Sequence, residues 1–432
     1  MKTYSYPDKY IVKPISKLDA EITAPSSKAH TLRAIYIAAL AQGKSVIKKP
    51  LLAEDQMYAI EALRKLGIKI EINEITEEVI VYGNGGKFEV IDPLLYIGNS
   101  GMTARFIAVL GSLANVDVVI DGTERMRTAR PIQDLIDALL PLGINEKSRN
   151  NNGCVPIDIK ANTFLGGDTV LRGDKSSQYF SAILLCAPYA KNDVKIITQG
   201  KLVSKPYIDI TIGIMKEFGV EVENHNYEEF IIRAGQRYVA RDYNIEGDYS
   251  STAFFFEAAA ITGGKIRINN LYQNSFQGDK KFVDYLEMMG CKVNRGNNFI
   301  ELEGKPLSGI TVDMCDEPDV AVPLMVVAAF ANGETKITNI SHLIYKESDR
   351  INAPVAELGK MGVKALASND SVTIQGLGVD KIMSAEIDTY NDHRMAMSFT
   401  MAGLKIPGIV INNPKCVDKS FPDFYEILSS LY

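Results

Sequence analysis

The chain has 432 residues and a formal net charge of −6, a balance that argues against a general nucleic-acid or anionic-membrane surface. Its length exceeds one ordinary core and points to two domains or more, and its 46% of hydrophobic residues is ordinary for a folded soluble protein. Five scattered cysteines without a Cys-x-x-Cys argue against disulfides and a zinc site, and the start Met1-Lys2-Thr3-Tyr4-Ser5-Tyr6 has no apolar signal core, so a reducing cytoplasm is the expected location.

In chain order, Ala24-Pro25-Ser26-Ser27-Lys28 runs into Ala34-Ile35-Tyr36-Ile37-Ala38-Ala39-Leu40 and predicts a helix whose start offers serine caps, Lys28 and Arg33. The glycines of a P-loop are missing there. Leu66-Gly67 predicts a helix end, and Ile68-Lys69-Ile70-Glu71-Ile72 alternates as a half-buried strand. A second start follows at Gly98-Asn99-Ser100-Gly101-Met102-Thr103-Ala104-Arg105, where glycines let a ligand approach the backbone and Arg105 sits one turn inside. The segment from Asp121 to Pro131 brings Arg125, Arg127 and Arg130 into one short loop; guanidinium forks suit carboxylate and phosphate, and a solvated loop of screened charges reads the same way. After Leu142-Gly143 and the polar turn Arg149-Asn150-Asn151-Asn152-Gly153, a third start stands at Ser176-Ser177-Gln178. Together with Ser204-Lys205-Pro206-Tyr207 it supplies neutral hydroxyl and amide groups for a polyhydroxylated or phosphorylated ligand. Phe218-Gly219 closes a further helix, and Val220-Glu221-Val222-Glu223 reads as another half-buried strand.

The second half repeats the pattern from Ser250-Ser251-Thr252, through Asp316-Glu317-Pro318-Asp319, to Asn391-Asp392-His393-Arg394, with helix ends at Met289-Gly290 and Met361-Gly362 and a last helix over Phe424–Leu428. Helix starts thus recur roughly every 70 to 75 residues, the mark of a repeated supersecondary unit. Each start exposes N–H groups and the positive end of a dipole and suits an anion. Six units divide naturally as three and three, with the middle near Tyr243-Asn244-Ile245-Glu246-Gly247. Within Tyr345-Lys346-Glu347-Ser348-Asp349-Arg350, Lys346 and Arg350 share a face if the segment is helical, with Glu347 between them. Lys419 follows in Cys416-Val417-Asp418-Lys419-Ser420-Phe421-Pro422-Asp423.

The strings Lys346-Glu347-Ser348-Asp349-Arg350, Asp392-His393-Arg394-Met395-Ala396-Met397 and Ser420-Phe421-Pro422-Asp423 resemble the signature of the 5-enolpyruvylshikimate-3-phosphate synthase family. So do Leu202-Val203-Ser204-Lys205-Pro206-Tyr207-Ile208-Asp209-Ile210-Thr211 and Glu246-Gly247-Asp248, and the matches run in order over nearly the whole chain. The resemblance implies an α/β fold of two domains, each of three βαβαββ-type repeats about a pseudo-threefold axis (an inside-out barrel), with helix starts facing an interdomain cleft. Its first domain would be discontinuous, residues 1–22 with 247–432, and its second would span 23–246. The implied reaction joins shikimate-3-phosphate to phosphoenolpyruvate through a tetrahedral intermediate and releases phosphate. It needs no metal or organic cofactor, and the resemblance implies a monomer with no nucleic-acid or membrane partner.

By motif match, Lys28, Arg33, Ser176, Ser177, Gln178, Ser204, Tyr207, Asp319, His342 and Lys346 resemble the shikimate-3-phosphate site. Lys28, Asn99, Gly101, Arg105, Arg130, Gln178, Arg350, Arg394 and Lys419 resemble the phosphoenolpyruvate site. The implied catalytic set is Asp319 as base for the ring hydroxyl, Glu347 as acid toward the methylene carbon, Lys28 assisting, and His393 near the reacting carbons. The sequence departs from the family pattern at Ala29, Leu32 and Met102, where serine, asparagine and threonine are common, and at His342, where some relatives have asparagine. A UDP-N-acetylglucosamine enolpyruvyl transferase shares the implied fold, but its early lysine–asparagine pair and loop cysteine are not found here, since Lys28 precedes Ala29 and Thr123–Pro131 holds no cysteine. The intact set Lys28, Asp319, Glu347, His393 and Lys419 argues against a non-catalytic anion-binding relative.

Overall fold

The computed structural model describes residues 6–432, the side chain of Asp380 excepted; Met1–Ser5, read above as lacking a leader core, lie outside them. The chain divides into two compact units, one formed by Met1–Ser27 with Glu246–Tyr432 and the other by Lys28–Ile245. The first unit extends past Ile22–Thr23 because the backbone keeps pairing there: Ala24 N–H donates to Asn269 O at 3.0 Å, and Ser26 bridges Gly247.

All six expected helix starts begin helical structure. In the Lys28–Ile245 unit, three helices, Lys28–Leu40, Gly101–Leu110 and Ser177–Cys186, form the interior. The other unit does the same with Tyr249–Thr262, Ala321–Ala329 (entered through the 3-10 turn Pro318–Val320) and His393–Gly403. Ala321–Ala329 is buried at every position, so these helices lack the polar stripe of a surface helix; a helix apolar all round belongs inside. In the discontinuous unit, Phe254 and Phe255 meet Phe421 and Phe424 at ring separations of 6.0 to 6.3 Å and clamp the last helix, Phe424–Ser429, onto the core.

Around the helices lie five four-stranded sheets and one three-stranded sheet, counted over the described residues. Each four-stranded sheet joins a parallel pair to an antiparallel hairpin. In one, Leu94–Tyr96 runs parallel to Val118–Asp121, which pairs with Ile157–Ile159 and through it with Glu146–Ser148. The crossover between the parallel strands is an inner helix, which aims its start at the carboxyl end of the first strand. Two strands pair in one unit while the helix that follows each belongs to the other. Asp19–Thr23 pairs with Lys265–Asn269 although the helix that follows it, Lys28–Leu40, belongs to the other unit. Asp242–Asn244 pairs with Gln42–Lys48 although its next helix, Tyr249–Thr262, belongs to the discontinuous unit. The three-stranded sheet is completed by Lys9–Ile11, antiparallel to Val410–Asn412.

Glycines stand at the predicted helix ends with positive φ, among them Gly67 at 91° and Gly290 at 118°. One strand expectation fails. Glu223–His225 is extended, but Val220–Val222 is not laddered, because the Gln236 side chain occupies Glu221 from both sides: Oε1 accepts from its N–H at 2.8 Å and Nε2 donates to its carbonyl at 3.0 Å. Among the described residues no helix is long and apolar enough to cross a membrane.

A second class of glycine was not legible in the sequence. Gly304, just past the strand Phe299–Glu303, lies so close to the Ala259 and Ala260 carbonyls that a methyl group there would collide with backbone; Gly376 meets the Ala328 and Ala331 carbonyls in the same way. Hairpin strands therefore rest directly on the carbonyl ends of inner helices. Gly304→Ala should destabilise the protein by about 1–3 kcal/mol in urea unfolding, the cost of overpacking. Gly359→Ala, on a helix with open space around it, should be neutral or stabilise by up to about 1 kcal/mol.

Candidate active site

In the Lys28–Ile245 unit, the starts of the three inner helices come together. Arg33 records this directly: its Nη1 reaches Met102 Sδ at 3.8 Å on the second helix and its Nη2 reaches Ser181 Oγ at 3.4 Å on the third. Arg33 has no exposed surface, and its remaining donors go to Thr211 Oγ1, Ala29 O and Tyr207 O. All five N–H groups are spent inside the unit, so a ligand would have to displace one of these bonds. Arg33, expected from the sequence as a substrate contact, ties Tyr207 and Met102 to the helix starts.

Lys28 opens its helix with Nζ 2.5 Å from Asp55 Oδ2, a buried carboxylate in the first turn of Glu54–Lys65. Asp55 was not anticipated. At the second start, Ser100 caps the helix, Arg105 Nη1 donates to Gly101 O at 2.6 Å, and Arg130 Nη1 donates to Asn99 O at 3.0 Å. Both guanidinium groups lie over the Gly101 Cα, where a Cβ would collide with each. Two buried cations over a helix N-terminus have the charge and fork geometry that suit an anion. The third start is capped by Ser176, which accepts from Gln178 N–H at 3.3 Å, with Ser177 buried beside it. Tyr179 of that helix lies 5.7 Å from the Arg105 guanidinium. Ser204 adopts φ 57° at the turn into Pro206–Glu217 and accepts from Tyr207 N–H at 3.2 Å.

The discontinuous unit holds a denser cluster built on Arg350. This side chain is 1% exposed and binds three carboxylates: Asp392 Oδ2 through Nε at 2.8 Å, Asp319 Oδ1 through Nη1 at 3.0 Å and Glu347 Oε2 through Nη2 at 2.7 Å. Lys419 Nζ lies 3.0 Å from Glu347 Oε1, Arg394 Nη2 3.1 Å from Asp319 Oδ2, and Lys346 Nζ 3.9 Å from Asp319 Oδ1. Asp392 caps the His393–Gly403 helix through Arg394 N–H and accepts from Ser348 Oγ at 2.8 Å, with His393 Nδ1 3.6 Å away. Asp319, Lys346, Glu347, Arg350, His393, Arg394 and Lys419, anticipated from the sequence, thus occupy one connected network. His342 is buried in the 3-10 turn Ser341–Tyr345 that delivers Lys346.

Lys346–Arg350 is not helical; the next helix begins at Asn352. The helical-face expectation gives way because Arg350 is drawn inward to Asp392 and Asp319, partners far away in sequence. Burial alone would lower the Arg350 proton affinity, but Asp392, Glu347 and Asp319 together raise it above the ordinary value. Burial opposes ionisation of Asp392, yet Arg350 and His393 hold its carboxyl well below the usual range. Lys346 is lowered, chiefly by burial, with Asp319 opposing. No group of three or more His, Cys, Asp or Glu side chains is placed to hold a metal among the described residues.

The family model of EPSP synthase (3-phosphoshikimate 1-carboxyvinyltransferase) matches residues 12–428. The 3-phosphoshikimate 1-carboxyvinyltransferase of Trichormus variabilis is 42% identical over 409 residues, covering 94% of this chain and 95% of that one. The enzyme of the same name from Histophilus somni is 40% identical over 423 residues, covering 97% and 98%. Among solved structures, the EPSP synthase of Acinetobacter baumannii superposes with a TM-score of 0.83 at 27% identity, covering 98% of each chain.

Removing one member of a buried charge network strands the others. Asp392→Ala should cost about 3–5 kcal/mol in equilibrium unfolding, since Arg350 loses a two-pronged partner and the helix its cap. Lys9→Ala, which breaks an exposed pair with Glu386, should cost less than about 1 kcal/mol.

Proposed function

The chain belongs to the EPSP synthase (3-phosphoshikimate 1-carboxyvinyltransferase) family, and on that footing we propose that it transfers the enolpyruvyl group of phosphoenolpyruvate to the 5-hydroxyl of shikimate-3-phosphate, releasing phosphate. The observation that carries the assignment of roles is the pair of carboxylates on one buried arginine. Asp319 and Glu347 are held apart on separate nitrogens of Arg350, and each touches a second cation, Arg394 or Lys419. One reaction needs both an acceptor for the hydroxyl proton and a donor to the methylene carbon, and two carboxyl groups fixed by a shared cation divide that work.

Asp319 takes the proton of the 5-hydroxyl as its oxygen attacks the central carbon of phosphoenolpyruvate, and Glu347 gives a proton to the methylene carbon. When Lys419 turns to the anionic oxygens of the substrate, Glu347 loses one of its two cationic partners and takes up that proton more readily. Arg105, Arg130, Lys28 and Arg394 bind the phosphate and carboxylate of phosphoenolpyruvate. In the second half the new methyl group gives a proton back to an enzyme base as its neighbouring carbon–oxygen bond to phosphate breaks. The departing phosphate takes up the proton that came from the hydroxyl, and cations on it stabilise the developing charge. Ser176, Ser177, Ser204, Tyr207 and Lys346 bind shikimate-3-phosphate, with Gln178 between the two substrates. Asp55 holds Lys28 at its helix start. Met102, where a threonine is common, takes a hydrogen bond from Arg33 at the second start.

Phosphate release should require both substrates together. Release with either alone would refute the transfer, and tight binding of both without release would leave an anion-binding protein. Glu347→Gln should lower kcat by about 10²–10⁴-fold while each KM stays within a few-fold. Equal losses in kcat and affinity would assign Glu347 to positioning. Lys28→Met should lower kcat/KM by a similar factor in a folded protein.

A further inference from the structure

Glu357 has no exposed surface and lies on the helix Asn352–Lys360, which follows Arg350. Its Oε1 accepts from the Tyr390 hydroxyl at 2.9 Å and its Oε2 from the Asp388 N–H at 3.0 Å. Lys360, one turn along the same helix, lies 2.8 Å from Glu357 Oε2 and 2.8 Å from Asp388 Oδ2. The helix thus grips one short stretch, residues 388–390, between the strand Glu386–Ile387 and the start of His393–Gly403.

That stretch leads into an unusual backbone. Tyr390 has φ 52° and Asn391 φ 55°, two left-handed residues in succession immediately before Asp392. Asparagine enters that region with some ease, but a tyrosine there is an outlier, because its Cβ crowds a carbonyl oxygen. Strain of this kind persists only where the surroundings impose it, and it gathers where position matters. Here Glu357 imposes it on Tyr390, and Asn413 Nδ2 steadies Asn391 by donating to its Oδ1 at 3.1 Å. The next residue, Asp392, takes the Arg394 N–H at 3.0 Å and binds Arg350 through two bonds. Whatever moves the turn moves this cap, and with it the helix start that carries Arg394. Glu357 and Tyr390 belong to none of the motifs read from the sequence. Glu357 bonds to none of the residues assigned to either substrate, and a buried acid of that kind needs a reason, because an apolar residue would fill the place at lower cost.

We propose that Glu357 is a positioning residue for Arg394: through the Tyr390 hydroxyl it latches the left-handed turn in which Asp392 caps the helix and Arg394 meets phosphoenolpyruvate. The proposal rests on the reading of the reaction given above. With the latch broken the turn relaxes in part of the molecules, and affinity for phosphoenolpyruvate falls in proportion to the fraction that stays in place.

Tyr390→Phe removes only the hydroxyl. Tyr390→Gly removes the ring and the strain together, since glycine enters the left-handed region freely. With the other substrate saturating, Tyr390→Phe should raise the KM for phosphoenolpyruvate about tenfold, the worth of one hydrogen bond to a charged group. On the same reasoning kcat should stay within about threefold and the KM for shikimate-3-phosphate within about twofold. Glu357→Gln, which keeps one of the two acceptor oxygens, should act in the same way. Tyr390→Gly should raise the phosphoenolpyruvate KM less than Tyr390→Phe does; a side chain that only packed would give the reverse order. Thermal unfolding checks that each variant is folded, and the two Tyr390 variants carry the test if Glu357→Gln is not. In folded variants, an unchanged phosphoenolpyruvate KM, a larger rise in Tyr390→Gly than in Tyr390→Phe, or equal rises in both KM values would overturn the latch. Should the unaltered protein show no turnover, the proposed reaction fails by itself. The latch is then judged by hydrogen exchange at the Arg394 N–H: exchange about tenfold faster in Tyr390→Phe supports it, and equal exchange overturns it.

Discussion

The buried Arg350 guanidinium organises the discontinuous unit. It gathers Glu347 from its own loop, Asp319 from the entry to one inner helix and Asp392 from the cap of another. Taking one cation and three anions out of water is expensive, and the Coulomb attraction returns that cost only with good geometry. The geometry here is a planar fork with each nitrogen assigned, which a lysine could not reproduce. The outer cations Arg394, Lys346 and Lys419 then more than offset the excess of negative charge, which leaves the network disposed toward an incoming anion.

The Lys28–Ile245 unit follows a different plan. Its inner helix starts carry few carboxylates, Asp55 beside Lys28 being the clear one, and rely on backbone N–H groups, serine caps and the Arg105–Arg130 pair over Gly101. That arrangement suits an anion, whereas the Arg350 network gathers the two carboxylates to which the proposed reaction gives its proton transfers. The two substrates of the proposed reaction ask for both: polyanions have to be held, and one hydroxyl and one carbon have to change protonation.

Much of this was legible in the chain. Small polar clusters before apolar runs marked all six helix starts because capping is a local preference written within four or five residues. Leucine–glycine and methionine–glycine steps marked helix ends for the same reason. What stayed hidden depends on distant partners. Nothing local says that Asp55 meets Lys28 or that Asp392 anchors Arg350. The Lys346–Arg350 spacing suggested a helix because spacing knows nothing of the three carboxylates that pull Arg350 inward. Val220–Val222 alternated properly and still lost its ladder to a single glutamine side chain. Arg33 bore the charge of a ligand contact, yet its surroundings supplied five acceptors.

The division of the chain sets an order of assembly. Everything in Lys28–Ile245 is contiguous, so that half has all its own pieces once the ribosome has passed its last strand. The other half begins with Lys9–Ile11, whose ladder partner Val410–Asn412 is made near the end, and Lys13, whose carbonyl receives the Tyr432 hydroxyl. This early-made strand therefore waits for a partner made far later, and a nascent chain halted before residue 410 carries an edge that Val410–Asn412 has yet to pair.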